Sequence, residues 1–353
     1  MHHSIRPGKV WYDTDGKRIQ AHGGSILYVD GVFYWYGENK EQMTGYSTGG
    51  RYTAWHNGVN LYASSDLYNW ENKGVIMVDN EDPKSPFYPT NIMDRPHIIY
   101  NAKTGKFVMW AKCAGADFNT SVFGVCVADS ITGPFTYLKR VTCEPYFVGD
   151  FDLVEFEGKA YAIYEHPHTK MICQELTDDY TDVIPGTATE HLHRPYPPFT
   201  REAPAYFRHG GKHYLLTSGT TGYFPNPSEL HVFDEFHGEW TDLGDPCVGD
   251  RDKNSFCAQF SSVFKHPTVE GLYIALGDRW LTDLSYHMPD IGELYERIFN
   301  PAKEPLPKDF DFNQFSESNT SEADYVWLPI CFREDGTPYL EWRNTWTVEE
   351  FIK

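Results

Sequence analysis

The sequence lacks a hydrophobic run that could cross a membrane, because no stretch approaches 18 consecutive apolar residues. It also begins without the apolar segment of a signal peptide. We therefore expect no membrane partner and a cytoplasmic location for the chain as it stands. Secretion or periplasmic export stays the alternative if a leader has been removed.

Positive charge is scarce in this chain. Lys and Arg total 30 against 50 Asp and Glu, which gives a net charge of −20 at pH 7. A polyanion would be repelled by such a protein, so nucleic acid and acidic membrane surfaces are poor candidates for partners. Neutral ligands such as carbohydrates remain open. The composition does not indicate an oligomeric state.

Cysteine pairs of the metal-binding or redox type are also missing. The seven cysteines are far apart and none forms a CxxC pair, so we predict buried free thiols rather than a zinc ribbon or a redox dithiol. Two short histidine motifs, at 166–168 and 191–193, could suggest metal ligands. Neither has acidic partners at a matching spacing, so we predict loop or surface histidines and no metal site.

Aromatic residues are abundant, at 16% of the chain, and 29 Gly and 23 Pro accompany them. This balance favours strands and turns over long helices. Five segments share one pattern: a polar residue, a short apolar strand, a Gly-type turn and an aromatic-rich strand. They cover residues 22–38, 94–110, 150–164, 202–216 and 259–276. Such pairs of strands are typical of β-hairpins.

A second hairpin follows each of these segments, so each repeat contains four strands. Four-stranded units repeated along a chain are typical of β-propeller blades. We therefore predict an all-β fold, a five-bladed β-propeller that forms a single domain over residues 1–353. Residues 41–58 are expected to form a long loop. Residues 289–324 should form a second excursion with a short helix near residues 291–299.

The polar residue of each repeat stands four positions before an apolar or aromatic strand residue. These residues are His22, Asp94, Asp150, Glu202 and Gln259. The innermost strand of a propeller blade lines the central channel, so the five side chains should meet as a ring at one end of that channel. Residues at strand starts also satisfy backbone groups, which is the alternative for any single member. Five at one register favour a functional pocket.

Two carboxyl groups that face a neutral pocket match the requirements of glycoside hydrolysis. Glu202 is the best candidate for the proton donor, because its strand begins rigidly before Pro204 and apolar neighbours would keep the acid protonated. Asp150 is a candidate for the neighbour that tunes this acid by its like charge. Asp152, two residues later, is the alternative in the same register.

Several longer motifs resemble glycoside hydrolase family 43 over nearly the whole chain. They are Ala21-His22-Gly23-Gly24, Asp94-Arg95-Pro96, Arg201-Glu202-Ala203-Pro204, Asn226-Pro227 and Gly277-Asp278-Arg279-Trp280. Together they are similar to the branch with exo-β-1,3-galactanases and related furanosidases. The resemblance implies a five-bladed propeller and an inverting, exo-acting hydrolase with Glu202 as the general acid.

The chain departs from the family at two positions. Most members have an Asp as general base where this chain has His22, and the galactanase branch is thought to use a Gln that matches Gln259 to assist the water. That branch usually has Glu at the position of Asp94, which is shorter by one methylene. We expect Gln259, with Asp94 or Glu38, to orient the attacking water.

Further residues are candidates for contacts with sugar hydroxyls. They are His22, Glu38, Glu165, Thr220 and Arg279. The alternatives are a buried channel histidine for His22, surface ion pairs for the two glutamates and a structural ion pair for Arg279.

The predicted function is the release of a terminal, galactose-type sugar from galactan or arabinogalactan side chains. An α-L-arabinofuranosidase or a β-D-galactofuranosidase on the same scaffold is one alternative, and a carbohydrate-binding propeller without turnover is another. The partner is an oligo- or polysaccharide. No cofactor should be required, and a structural ion in the central channel stays open.

Overall fold

Antiparallel β-sheets and one α-helix account for most of the regular structure. The computed structural model describes residues 1–41, 55–77, 82–115, 121–285 and 290–352. In each of the first four sheets, strands that follow one another in the chain are also neighbours in the sheet. This up-and-down order is what a series of hairpins produces.

The four-stranded sheets follow one another along the chain. The first contains β1 (His22–Val29), β2 (Val32–Glu38), β3 (Val59–Ser64) and β4 (Glu71–Met77). The second contains β5 (Ile92–Asn101), β6 (Lys106–Ala114), β7 (Ser121–Ala128) and β8 (Thr136–Val141). The third contains β9 (Phe151–Phe156), β10 (Lys159–His166), β11 (Lys170–Glu175) and β12 (Thr189–His191). The fourth contains β13 (Arg201–His209), β14 (Lys212–Gly219), β15 (Ser228–Phe233) and β16 (Thr241–Asp242).

Two three-stranded sheets complete the molecule. The short strand β17 (Cys247–Val248) comes first in the chain. The fifth sheet contains β18 (Gln259–Lys265), β19 (Tyr273–Arg279) and β20 (Asp324–Pro329). The sixth sheet joins β17 to β21 (Cys331–Phe332) and β22 (Pro338–Glu341).

The predicted count of five blades is therefore wrong, because the described residues form six sheets and the propeller has six blades. The sixth joins the distant short strand β17, in parallel, to the antiparallel pair of β21 and β22. The β21–β22 hairpin lies where the second hairpin of the fifth repeat was expected, and no local pattern indicates that it pairs with β17. The expectation of an all-β propeller holds.

Aromatic side chains fill the space between neighbouring sheets. Trp35 of the first sheet makes edge contacts with Tyr325 and Trp327 of the fifth, each at 4.6 Å between ring centroids. At the same place, the backbone of Ile5 near the N-terminus pairs with Trp346 near the C-terminus. The first and last large sheets are thereby joined and the ring is closed.

The innermost strands have an irregularity directly after the polar residue of the repeat. The pairing shifts between His22 and Ser25, between Asp94 and His97 and between Glu202 and Ala205. The residue after each polar one has a positive φ: 61° at Gly23, 54° at Arg95 and 48° at Ala203. Such β-bulges bend a strand and redirect its side chains. They place the polar side chains at one end of the channel.

The excursion before β20 contains the single α-helix of the described residues. Helix α1 (Ile291–Phe299) confirms the predicted short helix, and Asp290 caps its first turn by accepting a hydrogen bond from Glu293 N–H. Most of the predicted loop at 41–58 lies outside the described residues. No helix in the described ranges is long and apolar enough to cross a membrane.

All seven cysteines are free, as the sequence predicted, and five of them are buried. Burial raises the pKa of Cys113 and of Cys126, which keeps both thiols protonated. They pack as small apolar side chains between the first and second sheets.

Candidate active site

Polar residues near the starts of four innermost strands meet in one pocket of about 110 Å³. The pocket has four carboxyl groups, three cationic side chains and several aromatic rings in its wall. Its lining residues are Glu38, Lys40, Trp55, Asp94, Arg95, Lys112, Asp150, Glu202, Gly222, Tyr223, Gln259 and Trp280. Five of these residues were predicted from the sequence to belong to the site: Glu38, Asp94, Asp150, Glu202 and Gln259.

Glu202 lies on β13 of the fourth sheet, and its carboxyl group lines this pocket. Its pKa is raised well above the usual value, first by burial and then by the negative charges of Asp150 and Glu165. Gln259 Nε2 donates a hydrogen bond to Glu202 Oε1 at 3.0 Å. Oε2 is then the oxygen that carries the proton, and Glu202 has the protonation state of a general acid.

Asp150, directly before β9, has the opposite protonation state. Burial disfavours its charge, but Arg95 and Lys112 outweigh burial and lower the pKa of Asp150 to about 2. Arg95 Nη2 is 3.0 Å from Asp150 Oδ2, and Lys112 Nζ is 3.2 Å from Asp150 Oδ1. Asp152 instead lies deeper in the channel, where its Oδ2 accepts a hydrogen bond from Tyr206 N–H at 2.9 Å. The pocket neighbour of Glu202 is therefore Asp150.

The amide of Gln259 is fully occupied by protein partners. Its oxygen accepts hydrogen bonds from Arg95 Nη2 and from Trp280 Nε1, the latter at 2.9 Å. Its nitrogen donates to Glu202 and to Ser218 Oγ, the latter at 2.9 Å. A primary amide has no further hydrogen-bonding position. The expectation that Gln259 orients the water is therefore corrected: in this structure it positions the acid.

The opposite side of the pocket is formed by the first two sheets. Glu38 Oε1 accepts a hydrogen bond from Arg95 N–H at 2.9 Å, and Glu38 Oε2 pairs with Lys40 Nζ at 2.8 Å. Burial raises the pKa of Glu38 to about 7 against the opposing charge of Lys40. Asp94 accepts a hydrogen bond from Trp55 Nε1 at 3.0 Å and pairs with Lys112 at 3.4 Å.

Among Asp94, Asp150 and Glu38, Asp94 is the most exposed, with 17% of its side chain accessible against 8% and 1% for the other two. Water can therefore reach Asp94 more easily than the others. Three cationic side chains hold its neighbours in place, so the pocket has a fixed pattern of charge.

His22 does not reach the pocket, contrary to its predicted role in substrate binding. It is fully buried. Its Nδ1 is 2.9 Å from Asp278 Oδ1, its Nε2 is 3.1 Å from Gln20 Oε1, and its ring stacks on Tyr325. The bulge at Gly23 turns the strand, so the histidine faces the fifth sheet and takes the structural role that was its alternative.

Glu165 lies behind Asp150 rather than in the wall of the pocket. Its Oε1 accepts a hydrogen bond from His168 N–H at 3.0 Å, and burial together with the charge of Asp150 raises the pKa of Glu165 to about 7. It acts on the pocket through its charge rather than through contact with a sugar.

Thr220 and Arg279 are also outside the pocket, which corrects their predicted roles. Thr220 Oγ1 donates a hydrogen bond to Thr200 O at 3.1 Å. Arg279 reaches the backbone oxygens of Gly8 and Phe256 at 3.5 and 3.4 Å. Both side chains bind backbone oxygens of other segments of the fold rather than face the pocket.

The cations and the aromatic rings of the pocket were not predicted from the sequence. Arg95 follows Asp94 in a motif that was recognised only for its acid, and Trp280 follows Arg279 in another. Lys40 stands at the end of a motif that continues from β2, but it was not assigned a role, and Lys112 had no pattern that marked it, because lysines are usually exposed. Their position opposite buried carboxylates is a result of the tertiary structure.

One group of side chains in the described residues has the spacing of a metal site. It consists of Glu229, His231 and Asp242. Arg194 Nη2 already pairs with Glu229 at 3.1 Å and with Asp242 at 3.2 Å. A guanidinium thus holds the position that a cation would need. The histidine motifs at 166–168 and 191–193 form no such group among these residues.

Comparison with known proteins decides the family. The family described as "Glycosyl hydrolases family 43" matches residues 18–259. The chain belongs to this family. It is a glycoside hydrolase of family 43, and its substrate is a carbohydrate. Enzymes of family 43 generally work without a cofactor, as the sequence predicted for this chain.

Solved structures of the family resemble this glycoside hydrolase closely. A GH43 β-1,3-galactosidase is 29% identical to this chain and superimposes with a TM-score of 0.80. The match covers 99% of this chain and 64% of the galactosidase. The chain thus spans somewhat less than two thirds of that relative. A second GH43 β-1,3-galactosidase, solved with galactodeoxynojirimycin, is 28% identical at a TM-score of 0.78, covering 97% and 100%.

An exo-β-1,3-galactanase from Clostridium thermocellum is 25% identical at a TM-score of 0.72, covering 97% of this chain and 66% of its own. One from Phanerochaete chrysosporium, solved with β-1,3-galactotriose, is 23% identical at a TM-score of 0.76, covering 98% and 68%, and shows a common fold. No curated protein sequence matches the chain significantly.

Proposed function

We propose that this family 43 enzyme is an exo-acting, inverting β-1,3-galactosidase that releases terminal galactose from galactan or arabinogalactan side chains. The observation that carries the proposal is the pair of neighbouring carboxyl groups with opposite protonation in a small pocket. Asp150 is held ionised with a pKa of about 2, and the pKa of Glu202 is raised. A glycosidase needs a protonated carboxyl group and an ionised one in the same pocket.

The catalytic cycle follows from the side chains in place. Glu202 Oε2 donates its proton to the glycosidic oxygen, and the leaving sugar departs as an alcohol. Asp150 keeps the proton on Glu202 until that step and stabilises the positive charge that develops on the sugar ring. Asp94 accepts a proton from the attacking water, with Glu38 as the second candidate. Gln259 holds Glu202 in position.

Exo action is supported by the size of the pocket. A space of about 110 Å³ leaves room for roughly one sugar ring, so a chain can enter only by its end. Trp280 and Tyr223 in the pocket wall offer apolar faces to the C–H groups of a sugar. The type of sugar is supported by the relatives, since two structures 29% and 28% identical are described as β-1,3-galactosidases.

The proposal is tested by incubating the enzyme with β-1,3-galactotriose and following the products by NMR. We expect galactose as the monosaccharide product, first in the α configuration, because inversion at a β-linked sugar produces that anomer. Glu202→Gln should lower kcat on this substrate about 10²- to 10⁴-fold, because the amide has no proton to donate. The exposed Glu270 provides the matched control, since Glu270→Gln removes a carboxylate far from the pocket.

Three results would contradict parts of the proposal. Hydrolysis of an aryl α-L-arabinofuranoside or β-D-galactofuranoside without cleavage of galactotriose would select one of those alternatives. A first product in the β configuration would exclude inversion. Normal turnover by Glu202→Gln on galactotriose would exclude Glu202 as the acid.

A further inference from the structure

The leaving sugar must lie outside the pocket, on the side of the general acid. The pocket leaves room for roughly one ring, so the remainder of an oligosaccharide extends from its opening. Glu202 on the fourth sheet must face the glycosidic oxygen, and Asp150, directly before the third sheet, lies beside it. The part of the rim between the third and fourth sheets is therefore where a leaving sugar is expected.

Three exposed phenylalanines lie near this part of the rim, because Phe147 stands three residues before Asp150, Phe199 stands three before Glu202, and Phe299 contacts His168 of the third sheet. Phe147 is 56% exposed, Phe199 45% and Phe299 38%, and they are the exposed phenylalanines of the described residues. We call them the rim phenylalanines. Exposing a large apolar side chain to water is unfavourable, so three of them around one opening point to a binding surface.

The rim phenylalanines connect to the pocket through histidines of the third sheet. Phe147 stacks over His166 at 6.0 Å and 9° between the rings, and Phe299 contacts His168 at 5.6 Å. His168 N–H donates a hydrogen bond to Glu165 Oε1, and Glu165 N–H donates to Asp150 O at 2.8 Å. Short links therefore join the rim to the carboxylate that tunes the acid.

Helix α1 (Ile291–Phe299) connects the rim to the pocket from the other side. Gly222 lines the pocket, and a Cβ at Gly222 would lie 2.9 Å from the hydroxyl of Tyr295 on this helix. Pro198, next to Phe199, would be 3.7 Å from a Cβ at Gly292, near the start of the helix. The helix thus brings Phe299 and the loop of Phe199 to the edge of the same opening.

We propose that the rim phenylalanines form the subsite that binds the leaving sugar. Their rings can stack against the C–H face of a pyranose, as aromatic side chains do when they bury apolar area against a partner. They would hold the leaving unit of a β-linked galactan while Glu202 protonates the bond. This inference rests on the proposed function, since it assumes a galactosyl chain as the substrate.

The test compares two substrates with the same sugar in the pocket. β-1,3-Galactotriose has a sugar as leaving group, whereas β-D-galactopyranosyl fluoride leaves only a fluoride ion, which cannot contact the rim. Phe147→Ala and Phe299→Ala should each lower the ratio of kcat/KM for galactotriose to kcat/KM for the fluoride about five- to tenfold. Because both side chains are exposed, these variants should fold.

Tyr100→Ala is the matched control, since Tyr100 is 45% exposed on the second sheet and packs on Phe107 away from the pocket. Its ratio should equal that of the wild type. If both Phe variants had the wild-type ratio, the proposed subsite would be overturned. The proposed function would still stand in that case, provided that the wild type cleaves galactotriose. A wild type that turns over neither substrate would overturn the proposed function, and this inference with it.

Discussion

At the scale of single residues, Arg95 holds the two halves of the active site together. Its guanidinium contacts Asp150 Oδ2 at 3.0 Å and also donates to Gln259, and its backbone N–H donates to Glu38. The guanidinium carbon also lies 5.6 Å from the centre of the Trp280 ring. One cation thus keeps Asp150 ionised and orients the amide that fixes Glu202. The acid depends on this residue even though Arg95 has no proton to give.

The pH dependence of the enzyme should report the coupling between Asp150 and Glu202. The charge of Asp150 disfavours ionisation of Glu202 and raises its pKa, after burial as the larger cause. Asp150→Asn removes that charge and leaves Arg95 and Lys112 unopposed, so the pKa of Glu202 should fall. The alkaline limb of kcat/KM should therefore move to lower pH, as measured on galactotriose. If the alkaline limb stayed at the same pH or moved to higher pH, Asp150 would not tune the acid.

The base can be identified by chemical rescue at Asp94. Asp94→Asn should lower kcat about 10²- to 10³-fold with little change in KM, because the side chain acts on water rather than on sugar binding. Added azide should then restore part of the turnover by replacing the water. Gln259→Ala is the comparison: its loss comes from a misplaced acid, so azide should not restore it. Absence of rescue in Asp94→Asn would move the role of base to Glu38.

At the scale of elements, the β-bulges of the innermost strands position the pocket. A regular strand would alternate its side chains between the two faces, whereas a bulge turns one residue aside. Gly23 has φ 61° and leaves room for Glu38, because a Cβ there would be 2.5 Å from Glu38 Oε1. Arg95 and Ala203 adopt a positive φ without being glycine, which costs about 1 kcal/mol each.

Gly23→Ala should affect both stability and activity. The positive φ alone should lower the free energy of unfolding by about 1 kcal/mol. The contact with Glu38 adds to this and displaces the carboxylate that accepts from Arg95 N–H, so kcat should fall at least about tenfold. Urea unfolding and the galactotriose assay measure the two effects.

The matched control for Gly23 is Gly158. Its φ is 79° and a Cβ there would meet nothing within 4 Å. Gly158→Ala should therefore show the cost of the φ angle and keep full activity. Equal behaviour of the two variants would mean that the close approach to Glu38 has no consequence.

At the scale of the whole molecule, the channel contains several buried carboxyl groups. Burial raises the pKa of Glu38, Asp152 and Glu165 to about 7, well above the values in an unfolded chain. The folded protein therefore binds protons that the unfolded chain has already lost. Stability from these neutral groups is present at acidic pH and is lost as the pH rises through 7.

We expect the free energy of unfolding to fall between pH 6.5 and pH 8.5, by about 1 kcal/mol for each such group. Asp152→Asn tests this at a position outside the pocket. The amide cannot serve both backbone N–H groups that Asp152 accepts from, so the variant should be less stable at both pH values. The decrease in its free energy of unfolding from pH 6.5 to pH 8.5 should nevertheless be smaller than that of the wild type.

The control for this measurement is Glu270→Gln, which replaces an exposed carboxylate. Its fall in stability should equal that of the wild type when urea unfolding is followed at both pH values. If the free energy of unfolding of Asp152→Asn decreased between the two pH values as much as that of the wild type, Asp152 would be ionised in the folded protein.

The strands, the family and the acidic part of the site could be predicted from the amino-acid sequence alone. Alternation of apolar residues and Gly-type turns are local signals, so the hairpins and helix α1 could be predicted from them. Glu202 and Asp150 could be placed in one pocket because a shared register puts equivalent strand positions at the same end of a propeller.

The number of blades and the directions of the side chains depend on contacts between segments that lie far apart in the chain. The sixth sheet joins segments around residues 247 and 340, and pairing over such a distance has no local signal. The bulges turn His22 toward Asp278 and leave it buried, although its register equals that of Glu202. Gln259 is saturated because Arg95, Trp280, Glu202 and Ser218 arrive from three other strands and the end of β19. Hydrogen bonds of this kind depend on distances between strands, which the order of residues does not contain.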